Sequence, residues 1–152
     1  MRVRIVLACV LVSSVACAGT HPGPRPPAST VAFGENGAVL HVDIAATRAA
    51  QREGLMAVET LPEDQGMAFV FDEPVDSTFW MKDTLIPLSI AFVDADGTVI
   101  GMRDMRPCDT DPCPRYGIDE PYVLAIEANL GWFQEHGVEV GSRAELRMGA
   151  YG

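Results

Sequence analysis

Basic residues are scarce in this chain. Its 152 residues hold 11 Lys and Arg against 21 Asp and Glu, a formal charge of -10 at pH 7. No Lys/Arg-rich run with interleaved aromatics offsets that excess, so a phosphate backbone would be repelled and nucleic-acid binding is disfavoured. Histidine is also rare, and His21, His41 and His136 are too scattered to give metal-ligand spacing. No metal or other cofactor is expected. A Gly-x-Ser-x-Gly elbow is missing, and Ser77, Ser89 and Ser142 have no adjacent histidine, which removes the usual setting of a serine nucleophile.

The N-terminus carries a different signal. Arg2 and Arg4 precede an apolar run at residues 5–12, and small residues follow at Ser13, Ser14, Ala16 and Ala18. The run is too short to span a bilayer as a mature helix, and the pattern is that of an export signal over residues 1–18. Ser14-Val15-Ala16-Cys17 resembles a lipoprotein box, in which Cys17 becomes the lipidated first residue; Ala16-Cys17-Ala18 also fits an ordinary small-x-small cleavage site. Lipidation is the preferred reading, because a free cysteine beside a cleavage site has little other purpose. It would make the membrane a partner through a lipid anchor, on the outer face of a bacterial membrane or in the cell envelope, with plain secretion as the alternative. Residues 19–30 are proline-rich and without apolar period, so they are expected to be a semi-extended tether.

Export bears on the two cysteines left for the fold. Cys108 and Cys113 have four residues between them, and an oxidising compartment preserves a bridge across such a spacing. A disulfide that shapes one proline-rich loop is expected.

Residues 31–149 are expected to form one domain. Alternation at residues 39–45 predicts a strand paired with residues 31–33 across an Asn-Gly turn, and Thr47 is placed to cap a helix over 48–53 that stops at Gly54. Residues 66–71, 79–82, 88–93, 98–105, 122–128 and 143–148 complete the strands. Pro74 is expected to end the segment after 71, and Asn129 to begin a second short helix closed by Gly137. The fold class is mostly β with two short helices, a β-rich α+β arrangement, with a meandering, largely antiparallel sheet curled towards a barrel.

Within this pattern Phe79-Trp80-Met81-Lys82-Asp83-Thr84 sets bulky apolar side chains beside a cation, an anion and a hydroxyl. Strand alternation would put Phe79 and Met81 on one face and Trp80 and Lys82 on the other. Taken with Gly54-Leu55-Met56, the run 66–71 and Ile126-Glu127, the segment resembles the family called domain of unknown function 192, from about residue 39 to 148. That resemblance implies a small β-rich fold and no settled biochemical role. Three positions depart from the family pattern: Asp83 stands for a usual asparagine, Ser89 for a usual aspartate, and Gln51 for a frequent arginine, which Arg52 is placed to replace from the next helical position.

Glu127 follows a nearly unbroken apolar strand, so its carboxylate is either at a wet strand end or buried with a partner, for which Lys82, Arg52 and Arg103 are the candidates. Should Lys82 or Arg52 meet it beside Trp80, a polar cluster on an apolar floor results, the anatomy of a small-molecule pocket. The ligand-binding candidates are therefore Trp80, Lys82, Asp83, Thr84, Glu127 and Arg52. The first functional expectation is non-catalytic binding of a small polar ligand or an envelope protein. Alternatives are an envelope enzyme using Glu127 or Asp83 as acid or base, and a structural accessory domain in which these residues only fix the fold. His41 and His136 are expected to be structural, as are Met56, Met67, Met81, Met102 and Met105, which fill gaps in the core and do not cluster for copper.

Overall fold

Side chains that alternate in sequence need two different surroundings, and the sheet supplies them as two apolar layers. The computed structural model describes residues 29–34 and 37–149. The export signal, Cys17, nearly all of the tether, and Glu35 and Asn36 of the first turn lie outside the described residues. The strands are β1 (Ser29–Phe33), β2 (Ala38–Ala45), β3 (Gln65–Val75), β4 (Phe79–Trp80), β5 (Leu88–Val93), β6 (Val99–Met105), β7 (Arg115–Tyr116), β8 (Tyr122–Asn129) and β9 (Ala144–Arg147). Two helices, α1 (Arg48–Glu53) and α2 (Trp132–Glu135), interrupt them.

Seven strands form one sheet in the order β6-β5-β8-β3-β2-β1-β9, and β4 pairs with β7 as a separate ribbon. The large sheet is antiparallel except between β2 and β3, which run parallel with α1 as their crossover. It curls until its two edges meet at one corner. There Ala144 N donates to Gly97 O at 2.8 Å, Val99 N to Ser142 O at 2.9 Å and Gly141 N to Val99 O at 2.8 Å. Closing the edges in this way hides backbone groups that would otherwise recruit foreign strands.

Inside the curl lie Val31, Phe33, Leu40, Val42, Ile126 and their neighbours, plugged by Trp132 and Phe133 of α2. Phe33 meets both rings of that helix at 5.7–5.8 Å between centroids. The outer face carries Phe69, Leu88, Ile90, Phe92, Met105 and Tyr122, covered by Met81 and Leu55. Residues 88–93 are buried throughout because β5 serves both layers.

Local chemistry explains most boundaries. Thr47 Oγ1 accepts from Ala50 N at 3.2 Å to start α1, and Gly54 N donates to Ala50 O at 2.8 Å to end it. Asp94 Oδ1 accepts from Asp96 N and Thr98 N, fixing the β5–β6 hairpin. Gly66 has a steric reason, since a Cβ there would overlap the Glu127 carbonyl oxygen on β8.

Three expectations are corrected. Pro74 does not end β3, which continues to Val75; its pairing with β8 is irregular between Val70 and Val75, where a proline costs no ladder hydrogen bond. Asn129 ends β8 and does not begin a helix. Its amide donates to the carbonyls of Leu61 and Pro62 at 3.1 and 3.0 Å, and α2 starts after Gly131. Lys82 lies beyond β4 and makes an isolated bridge to Cys108, outside the named strands.

Candidate functional site

The parallel β2–β3 crossover lays α1 over the outer layer, opposite the β4–β7 ribbon. Between helix and ribbon opens a cleft of about 360 Å³, floored by Phe69, Phe71 and Phe79 and walled by Trp80. A small inner recess of about 30 Å³ lies alongside, sharing Gln51, Arg52, Phe69, Phe79 and Trp80 with the cleft and adding Leu55, Thr84 and Glu127. That is room for about two waters.

Strand alternation holds in the signature run. Phe79 and Met81 turn into the core, Met81 being 1% exposed, while Trp80 is 40% exposed at the mouth. The ribbon register sets Trp80 opposite Arg115, and the guanidinium lies over the indole at 4.6 Å from its centroid. On the other wall, Arg48 and Arg52 stand four apart on α1, so both reach the cleft.

Glu127 is the deepest polar group. It follows Ala125 on the outer face of β8, between Met67 of β3 and Ile90 of β5. Only 5% of it is exposed, and no ion pair holds it among the described residues. Burial alone pushes its carboxyl up to about 8, so at neutral pH it is a carboxylic acid able to donate a hydrogen bond.

The candidates therefore divide. Trp80, Thr84, Glu127 and Arg52 share the recess. Lys82 is not a lining residue: its Nζ binds Asp111 Oδ2 at 2.8 Å, a hydrogen bond that holds the ammonium above its usual range. That bond ties the ribbon to the loop closed by the Cys108–Cys113 disulfide, with Cα atoms 5.8 Å apart. Cys108 N also donates to Met81 O at 3.3 Å.

Asp83 does not line the recess either. Its backbone is left-handed at φ 56°, its carbonyl accepts from Ala57 N at 2.9 Å, and Ala57 is itself left-handed at φ 59°. Asparagine is the side chain, after glycine, that tolerates this conformation best. The backbone at Asp83 thus sets the demand on its residue type, and its carboxylate lies outside both the cleft and the recess.

The other two departures make structural hydrogen bonds, Gln51 while also lining the cleft and the recess. Gln51 Nε2 donates to Val70 O at 2.9 Å and Ala45 O at 3.3 Å, pinning α1 to both strands it connects. Ser89 faces the inner layer, on the far side of the sheet from Glu127. Its hydroxyl donates to Asp104 Oδ1 at 2.6 Å and accepts from Gly131 N at 2.9 Å. His136 stacks on Trp132 at 4.2 Å, with Nδ1 2.8 Å from the Trp132 carbonyl, and belongs to the inner layer's rim.

Sequence reasoning missed Arg48 and Arg115. Arg48 opens a helix that offers few apolar landmarks, and Arg115 sits in a two-residue strand with no alternation to reveal which way it faces. Tyr122 was read only as a strand residue, yet its hydroxyl donates to Ser77 O at 2.7 Å and fixes the cleft's far rim. Burial raises that phenol. Among the described residues no group of three or more His, Cys, Asp and Glu side chains could hold a metal ion, and no helix is long and apolar enough to cross a membrane.

Comparison with known proteins gives the same picture of fold without a settled role. A protein of unknown function from Novosphingobium aromaticivorans is 32% identical, with 82% of this chain and 89% of that one covered at a TM-score of 0.70. A Sinorhizobium meliloti protein described as a candidate transcription regulator is 29% identical, with 82% and 98% covered at a TM-score of 0.69. No curated protein sequence matches. The family model DUF192, described as "Uncharacterized ACR", matches residues 30–146. With the signature run, the buried Glu127 and the two-layered curled sheet in place, the chain belongs to the DUF192 family.

Proposed function

We propose that the chain is an exported binding domain, held at a membrane by a lipid on Cys17, whose helix–ribbon cleft takes a small polar ligand or a segment of an envelope protein. One observation carries the binding reading: Trp80 and Arg52, distant in sequence, line a cleft with an apolar floor, and Thr84 and Glu127 line the small recess beside it. A fold-fixing cluster needs no such opening. The disulfide supports export, since it persists only where thiols are not kept reduced. The Sinorhizobium description does not transfer well, because net acidity opposes DNA.

The raised Glu127 carboxyl favours a second reading, an envelope enzyme with Glu127 as its acid or base. It ranks below binding, because Asp83, the other carboxyl considered for this chemistry, lines neither the cleft nor the recess.

A fragment screen followed by two-dimensional NMR tests the binding reading. Hits that move the Trp80 indole resonance support it; hits confined to other surfaces, or none, refute it. If a bound fragment is also chemically altered, and Glu127→Gln stops the alteration while leaving its binding intact, the enzyme reading takes over. Mass spectrometry of the mature N-terminus decides the anchor. An acylated Cys17 supports it, and a free start at Gly19 refutes it.

A further inference from the structure

The cleft's charge is out of keeping with the chain. Acids outnumber bases by 21 to 11 in the sequence, yet three arginines and no acid line the cleft itself, Glu53 and Glu127 lying in the adjoining recess. Arg48 and Arg52 come from the helix and Arg115 from the opposite wall. The ion pairs among the described residues are Lys82–Asp111, His136–Asp64 and Arg147–Glu145, so none of the three cleft cations is neutralised by one. All three are exposed, and Arg115 alone has a partner, the Trp80 ring beneath its guanidinium. Beneath them lies an aromatic floor, where Phe69 and Phe79 meet edge to face at 4.9 Å. Ser77 and Thr78 add neutral polar groups at the rim.

Building on the binding reading above, we infer that the cleft's ligand is an anion with an apolar ring or chain beside its charge, a small carboxylate or phosphate ester. The charge supplies what the three guanidinium groups lack, and the guanidinium fork suits the paired oxygens of either anion. The apolar body covers Phe69, Phe79 and the exposed face of Trp80. The cleft volume lies at the low end of the range for small-molecule sites, which excludes a long polymer from full enclosure. On a chain with net negative charge, three arginines gathered in one cleft favour the approach of anions there.

The test uses the folded chain and four probes that share one ring: benzoate, phenyl phosphate, neutral benzamide and benzylammonium. Each is titrated while the indole resonances of Trp80 and Trp132 are followed by NMR. Trp132 serves as the internal control, because it is 1% exposed in the inner layer and bonded to Asp64 at 3.1 Å. Benzoate or phenyl phosphate should saturate at Trp80 alone, at least about tenfold tighter than benzamide, with benzylammonium weakest. Which of the two anions leads tells carboxylate from phosphate ester. An Arg48→Gln/Arg52→Gln variant should bring the anions down to the level of benzamide while keeping the wild-type spectrum elsewhere. Equal binding of the neutral or cationic probe overturns the inference and leaves the binding cleft standing, as does anion affinity that survives in the double variant. Failure of all four probes to saturate at Trp80 overturns the inference as well; the binding reading then falls only if the fragment screen also avoids this cleft.

Discussion

Replacing Glu127 with glutamine should make the domain more stable at neutral pH and remove a pH dependence from it. The carboxyl titrates near 4.5 when unfolded and is pushed up to about 8 when folded, by burial. Below about pH 4.5 both states are protonated and the group costs nothing. As pH rises from 4.5 to 8 the unfolded chain gives up a proton that the folded chain retains, so stability falls through that window; above 8 the penalty levels off. At about 1.36 kcal/mol per pH unit, the 2.5 units between 4.5 and pH 7 amount to about 3 kcal/mol. For a domain of this size that corresponds to a melting shift on the order of 10 °C. Glutamine has the shape and neutrality of the protonated acid, so the variant should match the wild type at pH 4 and exceed it progressively to pH 8. Urea unfolding of both proteins at a series of pH values measures the difference. Parallel curves from pH 4 to 9 would refute the reasoning, since Glu127 would then be ionised in the fold or titrating as it does in water.

Asp83→Asn and Ala57→Gly each relieve a left-handed residue, and each should raise stability by up to about 1 kcal/mol in thermal melts, whereas Asp83→Val should lower it; an equal or opposite order would mean that side-chain contacts decide these positions. Gln51→Leu removes two hydrogen bonds to strand carbonyls and should destabilise by about 1–3 kcal/mol in urea, with fast amide exchange confined to α1 and its neighbours. Cys108→Ser with Cys113→Ser opens a loop of few residues, so the loss should stay below about 3 kcal/mol. The same variant should broaden the Trp80 and Arg115 resonances, and unchanged line widths would show that the loop does not steady the ribbon.

The hairpins and α1 were legible because their causes are local: Thr47 and Gly54 bracket the helix, and Asp94 to Gly97 make their own turn. The parallel pairing of β2 with β3 was not, since the partner of a strand is chosen by which faces bury together across the whole chain. Asn129 shows the same limit, for its capping chemistry was recognised but spent on the loop at residues 61–63. At the site, Glu127 stood out as a lone acid in an apolar strand, and its burial follows from β8 lying between β3 and β5. Lys82 was misplaced because its proximity to Trp80 in sequence outweighed a partner 29 residues away, Asp111. Asp83 was read as chemistry when the backbone angle, invisible in composition, was the reason for its type.

The first strand has a mechanical meaning. β1 is not an edge: five of its residues pair with β2 on one side and four with β9 on the other, and Ser29 Oγ accepts from Gly149 N at 3.1 Å. Any pull transmitted through the N-terminus therefore loads two antiparallel ladders at once, in shear along their length, and cannot unzip them one bond at a time. The cleft, built on α1, β3 and the ribbon, draws no residue from β1 or β9. Under the anchored reading proposed above, a pull on the tether would be borne by these two ladders before it reached the cleft.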